Sequence, residues 1–104
     1  MDKLENVTVV KAVNSYFDGQ VTSRTVYLGN GDKCTLGVML PGEYEFGTDK
    51  KELMEILSGD LSVLLPGESD WRTIRGGDSF EVPASSKFQL KVMEITDYCC
   101  SYLD

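Results

Sequence analysis

Apolar residues alternate with polar ones in short stretches along this chain, and turn-forming residues interrupt them every eight to twelve positions. That rhythm predicts many short β-strands rather than helices. Candidate strands cover residues 7–13, 20–28, 33–40, 43–46, 52–58, 61–65, 71–75, 79–82, 87–93 and 97–103. Between them stand Asp18-Gly19, Gly29-Asn30-Gly31-Asp32, Pro41-Gly42, Gly59-Asp60, Pro66-Gly67, Gly76-Gly77-Asp78 and Pro83. Glycine supplies the positive φ that tight reversals need. Gly59-Asp60 lies between Leu53-Met54-Glu55-Ile56-Leu57 and Leu61-Ser62-Val63-Leu64-Leu65, a pattern that predicts a two-residue hairpin. Residues 48–57 compete as a helix, with Asp49 and Glu52 at capping-box spacing. Ten strands in so short a chain would leave long open edges in one flat sheet. The expected fold is therefore all-β, a single domain closed into a barrel-like double sheet.

Composition narrows the chemistry. The 104 residues, 11.5 kDa, suit one domain with a core large enough to fold without disulfides. Seventeen acids against ten bases give a net charge of −7, the wrong sign for following a phosphate backbone, so nucleic acid is not an expected partner. There is no histidine, which removes Ser-His-Asp and Cys-His nucleophile systems and His-ligated metal. The start of the chain has acids where a signal peptide carries basic residues, and no apolar run is long enough to span a bilayer. The expectation is a cytoplasmic protein with no membrane partner. Cys34, Cys99 and Cys100 are odd in number and include an adjacent pair, a poor disulfide framework, so they read as reduced thiols.

Two spacings resemble those of the cupin superfamily, and that resemblance implies a single-domain jelly-roll β-barrel. The first runs glycine, five residues, His-x-His, a short gap, glutamate, six residues, glycine. Here Gly37 is followed after five residues by Glu43-Tyr44-Glu45, and Glu52 after six residues by Gly59. The second is Gly77, then Pro83-Ala84-Ser85, then Phe88 in the place of a histidine. The turns match, while Glu43, Glu45 and Phe88 stand where metal ligands would be. Glu43, Glu45 and Glu52 could together hold a hard cation, but the ring of Phe88 would wall the site with hydrocarbon; a metal-free pocket is expected.

The strings Gly37-Val38-Met39, Gly42-Glu43-Tyr44-Glu45-Phe46, 58–66, Asp70-Trp71, Phe80-Glu81-Val82-Pro83 and Tyr16-Phe17-Asp18-Gly19 carry the resemblance further. Over residues 16–103 the chain is similar to the small bacterial pyrimidine/purine nucleoside phosphorylases. That resemblance implies a cupin-like barrel over residues 16–104, an N-terminal extension of residues 1–15 packed on it, and a homodimer. It also implies phosphorolysis of purine and pyrimidine nucleosides, with inorganic phosphate as co-substrate and no cofactor. Ser101 stands before Tyr102-Leu103 where relatives tend to carry arginine.

The residue inventory is compatible with that chemistry. Breaking an N-glycosidic bond develops positive charge on the sugar, which a carboxylate stabilises, and phosphate needs no catalytic base. Glu43 and Glu45, on one face of their strand, are the expected catalytic carboxylates, with Tyr44 and Phe46 on the other face. Which face looks inward is not set by spacing; if the aromatics do, the glutamates face solvent. Tyr44, Glu52, Trp71 and Phe88 are expected at the substrate, since acceptance of both base classes implies reading by ring faces. Arg24, Arg72 and Arg75 offer guanidinium forks for phosphate, with lysines 33, 87 and 91 as point charges. The alternative is a metal-free cupin module that binds a sugar or nucleotide without turnover.

Overall fold

The period-two alternation becomes ten antiparallel strands: β1 (Thr8–Tyr16), β2 (Val21–Tyr27), β3 (Lys33–Met39), β4 (Gly42–Gly47), β5 (Lys51–Ser58), β6 (Asp60–Leu64), β7 (Arg72–Arg75), β8 (Ser79–Val82), β9 (Lys87–Val92) and β10 (Thr96–Leu103). This computed structural model describes residues 3–103; Met1 and Asp2 of the expected extension and Asp104 of the expected barrel lie outside the described residues. Among the described residues there is no helix, hence none long and apolar enough to cross a membrane. A six-stranded sheet in the order β1-β2-β3-β10-β5-β8 faces a four-stranded sheet, β4-β9-β6-β7. The two sheets enclose a core of Met39, Met54, Ile56, Leu61, Val63, Phe80, Val82, Phe88 and Leu90.

This topology upholds the expected strand at 52–58 over its competing helix, overturns one expected hairpin and lengthens the first strand. The segment 48–57 is not a helix: Met54 and Ile56 are buried while Lys51, Glu55 and Leu57 are exposed, a period of two that only a strand can bury. The Thr48 hydroxyl instead donates to the Pro83 carbonyl at 2.7 Å and accepts from the Ser86 amide at 3.0 Å, tying two turns together. Gly59-Asp60 is not a hairpin either. β5 pairs with β10 and β8, whereas β6 pairs with β9 and β7, so Gly59 is the corner at which the chain crosses between sheets. Leu61 and Val63 thereby reach the core from the opposite sheet, each burial worth about 1.5–3 kcal/mol. Finally, β1 runs to Tyr16, beyond the expected end at residue 13. Much of the expected extension is this strand, hydrogen-bonded to β2 at the sheet edge.

Register fixes which side chains face the space between the sheets. One inward row across the large sheet is Asn14, Ser23, Gly37, Tyr98, Ile56; the next is Thr25, Thr35, Cys100, Met54, Phe80; a third holds Tyr102, Glu52 and Val82. The outward row between the first two is Val13, Arg24, Leu36, Cys99, Glu55, Ser79. At the β1–β2 turn, Phe17 and Asp18 both have φ of 54°, followed by Gly19 at 87°. Left-handed geometry costs a non-glycine residue about 1–2 kcal/mol. The Phe17 ring offsets this by packing on Tyr44 and Phe46, with centroids 5.0 and 5.4 Å away.

Candidate active site

Between the sheets lies a cavity of about 590 Å³ that opens beside the 29–32 and 47–50 turns, a size typical of small-molecule sites. Its two walls differ in chemistry. The four-stranded sheet contributes Phe46, Phe88 and Leu90. Phe46 and Phe88 lie nearly parallel, with centroids 5.9 Å apart and planes 29° apart, and Tyr16 meets Phe46 edge-on at 6.0 Å. The six-stranded sheet contributes Ser23, Thr35, Glu52, Tyr98, Cys100 and Tyr102. Adjacent strands in register place these polar groups side by side, so they can partner one another instead of facing hydrocarbon alone.

The polar wall forms two connected sets. Asn14 donates from its amide nitrogen to Ser23 Oγ at 3.2 Å and to Thr25 Oγ1 at 3.0 Å, and the row of Asn14 and Ser23 continues through Gly37 to Tyr98. Gly37 leaves the room for this: a Cβ there would meet the Tyr98 ring and hydroxyl at 2.7 Å. The second set is Thr35, Cys100, Tyr102 and Glu52 on the next two inward rows, with Cys100 directly across from Thr35 and Tyr102 directly across from Glu52. Burial pushes the Tyr98 hydroxyl up to about 12 and raises Cys100 and Tyr102 further, so all three stay protonated near neutrality. Burial also raises the Glu52 carboxyl, the Cys100 hydrogen bond pulls it back, and the Asp49 charge adds to the rise. Glu52 is thus a carboxylate on the wall of a partly apolar cavity. Two cations line the mouth, Lys33 and Lys50, and Lys33 Nζ rests 4.6 Å from the Tyr102 ring centroid.

The expected residues divide sharply by strand face. Glu52 and Phe88 line the cavity. The placement of Glu43 and Glu45 is corrected: both are exposed on the outer face of β4, because alternation gives the inner face to buried Tyr44 and half-buried Phe46. They border instead a shallow outer groove of about 280 Å³ together with Trp71, whose ring lies under Lys91 Nζ at 4.4 Å. Tyr44 is core rather than cavity wall, and its hydroxyl donates to the Leu40 carbonyl at 2.6 Å. The three arginines also lie elsewhere. Arg24 is on the outward row, Arg72 makes a two-pronged pair with Glu68 at 2.7 and 3.1 Å, and Arg75 lies 3.6 Å from Asp60. Ser23, Thr35, Lys50, Tyr98 and Cys100 also line the cavity, and spacing did not single them out. Tyr98-x-Cys100-x-Tyr102 did carry a period-two signal, which becomes readable once the inner face is known.

The cupin frame places a metal on histidines, and the residues here do not fit one. Glu43 and Glu45 point away from Glu52 across β4, Phe88 fills the third ligand position with a ring, and among the described residues no three His, Cys, Asp or Glu side chains converge to hold an ion.

Comparison with known proteins agrees with this architecture. The family model described as pyrimidine/purine nucleoside phosphorylase matches residues 11–102. A Wolinella succinogenes protein named pyrimidine/purine nucleoside phosphorylase is 67% identical, over 99% of this chain and 98% of its own. The crystal structure of an Acinetobacter protein of unknown function superposes with a TM-score of 0.95 at 39% identity, covering 97% of this chain and 98% of that one. The cupin domain of a Schizosaccharomyces pombe protein, 14% identical, shares the fold at a TM-score of 0.66, covering 89% of this chain and 69% of that one.

Proposed function

As the chain belongs to the pyrimidine/purine nucleoside phosphorylase family, we propose that its inter-sheet cavity binds a nucleoside and phosphate and exchanges the base for phosphate at the anomeric carbon. The observation that carries this reading is the division of the cavity into an aromatic wall, Phe46 and Phe88, and a more polar wall bearing Glu52, with Asp32 and Asp49 beside Lys33 and Lys50 at the mouth. The base lies against Phe46 and Phe88, whose faces accept purines and pyrimidines alike because ring faces do not discriminate by edge hydrogen bonds. The ribose hydroxyls meet the polar wall. Glu52 stands beside the anomeric carbon, where positive charge grows as the glycosidic bond lengthens. The bond's electron pair leaves with the base, a phosphate oxygen forms the new bond to carbon, and the one proton of hydrogen phosphate ends on the base.

Phosphate enters at the mouth, where Lys33 and Lys50 supply the charge expected of arginine. No metal takes part in this scheme, and the free thiols of Cys34, Cys99 and Cys100 suit a reducing, cytoplasmic setting. The homodimer also belongs to this proposal: β1 presents Val9, Val10 and Val13 on an unpaired sheet edge, and Leu36 continues the exposed apolar row, a surface that isolated proteins avoid. A solution mass of one chain would count against it.

The direct test is base release from uridine and adenosine with and without phosphate. Release that requires phosphate is the expected result; release that ignores it would indicate a hydrolase, and no release from either nucleoside would favour a binding module. Lys33→Ala is expected to raise KM for phosphate about tenfold, as loss of one charge-assisted contact does, with KM for nucleoside little changed.

A further inference from the structure

A pair of hydroxyls lies at the far end of the cavity, away from Glu52 and the mouth. Lys33 and Glu52 stand at the mouth ends of β3 and β5. The inward row of Ser23, Gly37 and Tyr98 lies four residues from Lys33 along β3, and four from Tyr102, the partner of Glu52, along β10, about 13 Å of strand. Beyond the Thr35–Cys100 row the lining includes Ser23, Tyr98, Met39 and Leu90, with exposed Tyr16 edge-on to Phe46. Met39 and Leu90 bring only thioether and hydrocarbon. Ser23 and Tyr98 bring hydroxyls, and both residues are more than nine-tenths buried.

The direction of these hydroxyls follows from their neighbours. Asn14 donates to Ser23 Oγ at 3.2 Å and to Thr25 Oγ1 at 3.0 Å, which fixes its amide behind the row. A serine hydroxyl carries a single proton, so Ser23 directs its own away from Asn14. Its neighbour in the row is Gly37, and the Tyr98 hydroxyl fills the space that the missing side chain leaves, 2.7 Å from where a Cβ would stand. Cross-strand neighbours are close enough for the two hydroxyls to be adjacent over Gly37. Burial pushes the Tyr98 hydroxyl up to about 12, so it keeps its proton near neutrality.

In phosphorolysis the phosphate arrives from the mouth, and the base departs from the opposite face of the sugar, toward this pair. We propose that Tyr98, braced by Ser23 and Asn14, donates a hydrogen bond to the departing base, at a carbonyl oxygen or ring nitrogen where negative charge grows as the glycosidic bond breaks. This inference rests on reading the cavity as the phosphorolytic site. The electron pair of that bond goes to the base, the proton of hydrogen phosphate still ends there, and Tyr98 keeps its own. A hydroxyl donates to a carbonyl oxygen and to a ring nitrogen alike, so the contact does not select between purines and pyrimidines.

The experiment compares kcat/KM at saturating phosphate for the wild type, Tyr98→Phe and Ser23→Ala on uridine, 5-fluorouridine and 5-nitrouridine, whose bases leave progressively more readily. Tyr98→Phe keeps the ring and loses the hydroxyl. The expected loss is about 10²-fold on uridine, shrinking along the series to less than about tenfold on 5-nitrouridine. A merely structural role would lower all three equally. A loss that is uniform or grows along the series, or that stays below about tenfold on uridine, overturns the inference. If Tyr98→Phe does not fold, Ser23→Ala decides: a loss that shrinks along the series upholds the inference, and a uniform or absent one overturns it. Wild-type protein that releases no base with phosphate, or Glu52→Gln with wild-type turnover, overturns the reading of the cavity instead, so the two failures are distinguishable.

Discussion

Glu52→Gln lowers kcat by about 10²–10³-fold, the effect of removing one preorganised charge from the point where transition-state charge develops. The substitution keeps the shape of the side chain and an oxygen that can accept hydrogen bonds, so binding of nucleoside changes far less than turnover. Stability should move the other way. Burial raises the Glu52 pKa above its ordinary value of 4.5, so the fold favours the protonated form. The stability this group contributes is present at low pH and lost as pH rises through the raised value. A neutral glutamine escapes that loss, and the melting temperature of Glu52→Gln at pH 7 is expected to equal or exceed that of the wild type. Loss of activity accompanied by a lower melting temperature would point to damaged folding rather than damaged chemistry. Kinetics and thermal melts on the same preparation separate the two.

Gly59→Ala is expected to destabilise the protein by about 4 kcal/mol, combining backbone strain with overpacking. Gly59 holds φ at 118°, a conformation that side chains rarely adopt, and its Cα is pressed against Thr96. A Cβ there would meet the Thr96 Cα at 2.7 Å and its Cβ at 2.9 Å, and would strike Oγ1 as well. Thr96 has no room to yield: it is fully buried at the start of β10, and its hydroxyl donates to the Glu94 carbonyl at 3.0 Å. Because this corner carries the chain from one sheet to the other, strain here separates the walls of the cavity. Denaturant unfolding measures the loss. A change below about 1 kcal/mol would show that the corner relaxes, contrary to this account.

The same corner shows what could be read in the sequence and what could not. Strand existence was legible nearly everywhere, because period-two burial is written into positions such as Met54 and Ile56 or Phe88 and Leu90. Pairing was not. Gly59-Asp60 has the local chemistry of a hairpin, and only the long-range partners of β5 and β6 make it a crossover. Strand face was equally hidden at β4: Glu43-Tyr44-Glu45-Phe46 alternates correctly in either orientation, and the packing of Phe17 and Phe88 on Phe46 decides which pair turns inward. Motif spacing singled out Glu52 and Phe88, and both line the cavity. Cys100 and Ser23 were not singled out because a lone cysteine or serine in a strand carries no signal until register turns it toward the cavity. Arginines were expected at the anion because they are the best phosphate ligands, yet each stands on an exposed face where solvent, Glu68 or Asp60 satisfies it.

A crystal structure of the protein with ribose 1-phosphate bound tests the site assignment most directly. The predicted result is a sugar in contact with Glu52 between the two walls, with its phosphate group beside Lys33 and Lys50. A sugar phosphate seated in the outer groove against Trp71, Glu43 and Glu45, with the inter-sheet cavity empty, would contradict it.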